Sequence, residues 1–155
     1  MNSKLCALAL NKKCILIITG VFFISGLLLP FFYTEFRYRY NLNTYREPAG
    51  IILGWKALVW GWYTIFNGGI WWFANIGLYY SIRKYLRDDL SSLKTISFSV
   101  FLALSSILYE KFPNDGGGLG GAIDQYIIAH GMGFYFWLVA YLILFFGILI
   151  RLRSH

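Results

Sequence analysis

Four stretches of 20 residues or more carry almost no charge, and few folds other than a membrane bundle can use four such runs in 155 residues. Cys14–Tyr33 has no charged side chain, Gly50–Tyr80 has only Lys56, Leu90–Tyr109 only Lys94, and Tyr126–Ile150 none. About 20 apolar residues of helix match the hydrocarbon core of a bilayer. Composition agrees, with 58% hydrophobic and 14% charged residues, against about 25% charged in a soluble domain. The expectation is an all-α membrane protein with four transmembrane helices in one domain, spanning about 14–33, 51–81, 90–109 and 126–150. The net charge of +7 sits on the flanks of the apolar runs, so it reads as topology rather than as a nucleic-acid surface.

The second run is the most informative. Gly50, Gly54, Ala57, Gly61, Thr64 and Gly68 follow one another at spacings of 4, 3, 4, 3 and 4. On a continuous helix they form one line of small residues, where a neighbouring helix can approach closely. Asn75 extends the line, while Trp55, Trp60, Trp62, Trp71 and Trp72 occupy other faces. A helix over the whole stretch would reach about 46 Å, too long for about 30 Å of hydrocarbon. Either it tilts and projects, or it breaks at Asn67-Gly68-Gly69, where paired glycines weaken a helix.

Between the first two runs, Phe36, Tyr38 and Tyr40 alternate with Arg37 and Arg39. That period of two suggests a short extended piece. Lysine and arginine in the loops set orientation. Nine (Lys4, Lys12, Lys13, Arg83, Lys84, Arg87, Lys94, Arg151, Arg153) fall at the end holding both termini, and five (Arg37, Arg39, Arg46, Lys56, Lys111) at the other. Both termini are therefore expected inside.

Groups with chemistry are few. Asn67 and Asn75 are the intramembrane amides, each able to lock helices together or to contact a ligand. His130, with Glu110, Asp115 and Asp124, could make an outer-face ligand site, although the spacing matches no metal motif. The glycine-rich run before Gln125 lacks the Lys-Ser/Thr of a phosphate loop. Cys6 and Cys14 form no disulfide or zinc pattern. No cofactor and no metal are expected, and no catalytic constellation is legible.

Gly54-Trp55-x-x-Leu58-x-x-Gly61-Trp62, Trp72-Phe73-Ala74-Asn75 and Gly133-Phe134-Tyr135-Phe136-Trp137-Leu138 together resemble a family of small, functionally uncharacterised bacterial membrane proteins. The resemblance covers about residues 50–150, with Ile76 where that family usually has proline. It implies a bacterial inner membrane and no activity. The reading from sequence is a non-enzymatic protein working through helix contacts with a membrane partner or with itself, as an accessory or immunity-type subunit. A small oligomeric transporter or channel is the alternative, and a lipid-headgroup enzyme a third.

Overall fold

The computed structural model describes residues 11–40, 43–67, 69–112 and 124–153. Among them are four helices of 14 residues or more: α1 (Lys12–Leu28), α3 (Phe73–Leu86), α4 (Ser92–Ser105) and α5 (Met132–Arg153), with a short α2 (Gly54–Trp60). An antiparallel sheet that the all-α expectation did not contain caps one end. Its strands β1 (Pro30–Tyr40), β2 (Asn43–Leu53), β3 (Lys111–Phe112) and β4 (Asp124–His130) lie in the order β2-β1-β4-β3.

The sheet takes residues from two expected spans, for local reasons. Proline has no N–H and pushes its predecessor out of the helical region. Leu29 is accordingly extended (φ −93°, ψ 163°), and the first helix stops at Leu28 rather than at residue 33. At the fourth span, Tyr126-Ile127-Ile128-Ala129-His130 is a short apolar run whose period suits strand and helix alike. It pairs with β1, and helix begins only at Met132. A register shift between Pro30 and Phe32 lets the consecutive Phe31 and Phe32 both bury, as a bulge allows.

The second run is broken. β2 ends at Leu53, α2 covers one and a half to two turns, a 3-10 helix follows over Gly61–Asn67, and α3 begins at Phe73. Thr64 holds the break: its backbone carbonyl accepts the Gly69 N–H at 2.8 Å, and its hydroxyl donates to the Gly61 carbonyl at 2.5 Å. The six small residues therefore do not share one helix. Gly50 lies in β2 with φ +119°, Gly54 and Ala57 in α2, Gly61 and Thr64 in the 3-10 turn, and Gly68 outside the described residues.

The helices pack at glycines. α1 lies antiparallel to α5, with Gly26 against the Gly133 backbone at one end and Ile15 against Gly147 at the other. α3 meets α4 where Gly77 faces Ser99. At the far end from the sheet, Asp88 in the α3–α4 turn binds Lys12 of α1 at 2.6 Å and Arg151 of α5 at 3.0 Å. Asp88 is left-handed (φ 58°), which the short polar side chain of aspartate tolerates. The outward face of α1 is apolar, with Ile17, Ile18, Val21, Ile24 and Leu28 exposed. By length and composition, α5 alone among the described helices suffices to cross a membrane without its flanks.

Candidate functional site

The candidate site is the buried polar and aromatic cluster where sheet meets bundle. Its centre is Asn75, in the first turn of α3. The side-chain oxygen of Asn75 accepts the Trp137 indole N–H at 3.0 Å and the Tyr141 hydroxyl at 3.1 Å, both from α5. Its amide nitrogen donates to the Trp72 carbonyl at 3.0 Å. Trp72 in turn donates its indole N–H to the Leu58 carbonyl at 2.7 Å. One amide thus ties α3 to α5 directly and to α2 through Trp72. In an apolar interior each of these groups would otherwise lack a partner.

Above Asn75 the space is filled by rings. Phe31 packs on Trp71, Phe134 and Trp137 at centroid distances of 6.4, 5.5 and 5.5 Å. The void bounded by Phe31, Trp71, Asn75, Trp137 and the α2 backbone is about 10 Å³, room for a water molecule at most. The asparagine therefore faces its own chain.

His130 closes β4 against this cluster. Its ring lies 4.2 Å from Phe134 and 5.6 Å from Phe32, and Nε2 is buried with no hydrogen-bond partner. Burial pushes its pKa down, partly offset by a hydrogen bond to the Ser106 backbone. A proton that the folded state disfavours costs stability as pH falls below the ordinary value of 6.5, and the full cost is reached below the depressed folded value. The protein is expected to melt lower at about pH 5 than at about pH 7.5, and His130→Phe to flatten that dependence. Parallel pH slopes in the two proteins would refute the assignment.

The other outer-face residues are not gathered around His130. Glu110 is exposed, and its carbonyl accepts the Ile127 N–H at 2.7 Å, which is sheet structure. Asp115 lies outside the described residues, and only the backbone of Asp124, paired with Arg37 in register, is described. Among the described residues no group of three His, Cys, Asp or Glu side chains could hold a metal ion. Asn67 ends the 3-10 turn, and only its backbone is described. Lys56 is exposed, 5.7 Å from the Trp55 ring.

The small-residue line also points inward. A Cβ on Gly54 would strike the Gly26 carbonyl, one on Gly61 would lie 2.8 Å from Trp71, and Ala57 and Thr64 are 1% and 0% exposed. Gly54, Ala57, Gly61 and Thr64 bring segments of this chain together, whereas Gly50 is exposed with nothing within 4 Å of a Cβ placed on it. What sequence reasoning missed is the sheet with its Glu35–Arg37 pair (2.6 Å), Arg37 lying 4.0 Å from the Tyr126 ring. The signal was present: Glu35 and Arg37 share a strand face by the same period of two.

The family model described as "Serpentine type 7TM GPCR chemoreceptor Str" matches residues 3–154. No curated protein and no solved structure matches the chain. The match overturns the resemblance to small bacterial inner-membrane proteins, because the Str family is of eukaryotic type. The tryptophan and glycine motifs behind that resemblance are packing chemistry, which unrelated membrane bundles share. The bacterial inner membrane falls with it, and the membrane itself remains. The matched residues hold the four long helices and the sheet described above. By a match over nearly its whole length, the chain belongs to the Str family of serpentine 7TM chemoreceptors.

Proposed function

We propose that the chain is a non-enzymatic membrane protein of receptor type, with the sheet as its recognition face and the helices as its transmitting part. The observation that carries this reading is covalent continuity. Only Leu29 separates α1 from β1, β2 runs directly into α2, and only Gly131 separates β4 from α5. A load on the sheet acts on α1, α2 and α5 at once, and Asn75 relays it to α3. The chain family supports the receptor class, and the packed centre gives no room for a transported solute.

In the same reading α1, α3, α4 and α5 each cross the bilayer, with both termini inside. The Lys12–Asp88–Arg151 cluster gathers the basic ends at one face, in keeping with the positive-inside rule. The half-exposed Trp55, Trp60 and Trp62 of the broken segment then lie at the opposite interface, where tryptophan is favoured. Contacts with a membrane partner or a second copy pass through the lipid-facing helix surfaces.

The test uses a surrogate ligand. A monovalent antibody fragment against residues 34–49 is added to the reconstituted protein carrying an environment-sensitive dye at Arg87→Cys, with Cys6 and Cys14 changed to serine. A change in emission on binding is the expected result. Unchanged emission at saturation contradicts coupling between sheet and helices. Solute flux through the same liposomes, lost on Asn75→Leu, would replace the receptor reading with a transporter.

A further inference from the structure

The alternation along β1 decides which side chains turn away from the bundle. At the base of the sheet Phe32 and its partner Ile52 are buried, while Tyr33 and its partners Ile51 and Ala129 are exposed. Beyond Phe32 the register shifts place their extra residues, Ala49 and Ile128, in β2 and β4, so β1 itself stays regular. Glu35 and Arg37 follow Tyr33 at steps of two and share its outward face. Across the ladders that face takes Pro48 and Arg46 from β2, and Tyr126 and Asp124 from β4.

Arg37 is held in place on this face. Its Nε donates to Glu35 Oε1 at 2.6 Å, and its guanidinium lies 4.0 Å from the Tyr126 ring. Together these contacts fix the plane of the fork, and neither uses the terminal Nη1 and Nη2 groups. Directly opposite on β2 stands Arg46, exposed and in no ion pair among the described residues. Like charges facing each other across a ladder destabilise it, a cost that hairpin packing does not explain. The acids nearby do not cancel the pair. Glu35 is taken by Arg37, Asp124 is on β4, on the side of Arg37 away from β2, and Glu47 belongs to the opposite face, in register with Phe36. β2 is also the outer strand in the sheet order, so among the described residues no strand lies beyond Arg46. An unpaired strand edge is a template for another strand.

We propose that the β2 edge binds an acidic peptide in extended form, added as a strand, with a side-chain carboxylate taken by Arg46 and the terminal groups of Arg37. A guanidinium presents a planar fork that matches a carboxylate. A strand added to the free edge carries alternate side chains to this same face. Pro48 has no N–H, so main-chain pairing is confined to Asn43–Glu47. The charge sits along a strand edge rather than in a cleft, which suits an extended chain better than a small acid. This names the ligand class of the recognition face and rests on the receptor reading above.

The test is fluorescence anisotropy of a labelled, end-capped Glu-Thr repeat peptide titrated with the purified full chain. A Gln-Thr repeat is the neutral control. The acidic peptide is expected to bind about tenfold tighter or more. Arg46→Gln is expected to weaken it about tenfold. Arg87→Gln, the same charge change at an exposed position at the other end of the molecule, is expected to leave binding as it was. Arg46→Glu should turn the preference towards a Lys-Thr repeat. Methylation of alternate backbone nitrogens in the peptide should abolish binding, as strand addition requires. Glutarate that displaces the peptide at equal concentration would make a free acid the ligand and overturn the proposal. So would a dimer that excludes the peptide, which would put a second copy on the edge. Equal binding of acidic and neutral peptides, or equal losses in Arg46→Gln and Arg87→Gln, would overturn it as well. Binding is read on the peptide itself, so its failure leaves an antibody-induced emission change standing. Peptide binding without any such change strikes only the receptor reading.

Discussion

Gly54→Ala is expected to destabilise the native fold severely. The added methyl would overlap the Gly26 carbonyl oxygen and approach the Leu27 Cα to 2.7 Å and the Gly26 carbonyl carbon to 2.8 Å. These are backbone atoms of α1, so no rotamer change relieves them. Gly133 presses on the same carbonyl from the α5 side, 2.7 Å from where its own Cβ would stand. α1 is thus clamped between α2 and α5 and cannot step aside for one without striking the other. The cost is about 3 kcal/mol or more, at or beyond the upper end for overpacking. Gly20 is the control, because a Cβ there meets nothing within 4 Å. Gly20→Ala in the same helix is expected to be neutral or stabilising by up to about 1 kcal/mol. Thermal unfolding in detergent compares the two directly, and equal behaviour would remove the clamp from the account.

The second large effect is expected at Asn75. Asn75→Leu keeps the volume near that of the amide but leaves the Trp137 N–H and the Tyr141 O–H without their acceptor. Both residues are almost wholly buried, at 2% and 0% exposure. An orphaned buried donor costs about 1–3 kcal/mol, so the pair costs about 2–6 kcal/mol. The sign of a further change separates this cause from simple loss of packing. Tyr141→Phe added to Asn75→Leu removes one orphan and is expected to recover part of the loss, whereas alone it should be destabilising. Additive losses would show that the hydrogen bonds are not the reason.

These two positions also show what the sequence carries. The small-residue spacing points to close approach, which Gly54 and Gly61 make and Gly50 does not, and periodicity cannot say whether the approaching backbone belongs to this chain or to another. Here it belongs to α1, because β2 folds back and delivers Gly54 onto Gly26. Asn75 stands out in the sequence as a polar group in an apolar run, yet its acceptor role needed the placement of Trp137 and Tyr141, over sixty residues away. The cores of all four long helices were legible from runs with one charge or none. Their ends were not where strands begin, because Tyr126–His130 and Pro30–Tyr33 are as apolar as the helices they adjoin. The sheet was half legible: alternation marked β1, while its partner β4 is hidden inside a run that reads as a span. The break after Asn67 was one of two readings of excess length, and the Thr64 hydrogen bonds show how the chain makes it.

The charge pattern had a different fate. Sequence spreads Lys12, Asp88 and Arg151 over nearly the whole chain, and the fold gathers them at one end. Exposed ion pairs of this kind add little to stability, about 0–1 kcal/mol each. Their weight in the account is positional, because they fix which helix ends share a face.

In the proposed topology the sheet and the Asp88 end lie on opposite sides of a bilayer. The direct measurement is labelling of single cysteines by a membrane-impermeant maleimide on intact cells, in a background with Cys6 and Cys14 replaced by serine. Glu47→Cys in β2 and Arg87→Cys and Arg153→Cys at the other end are all at exposed positions. Glu47→Cys is expected to label on intact cells, and Arg87→Cys and Arg153→Cys only after permeabilisation. Labelling of Glu47→Cys and Arg87→Cys from the same side would contradict that topology.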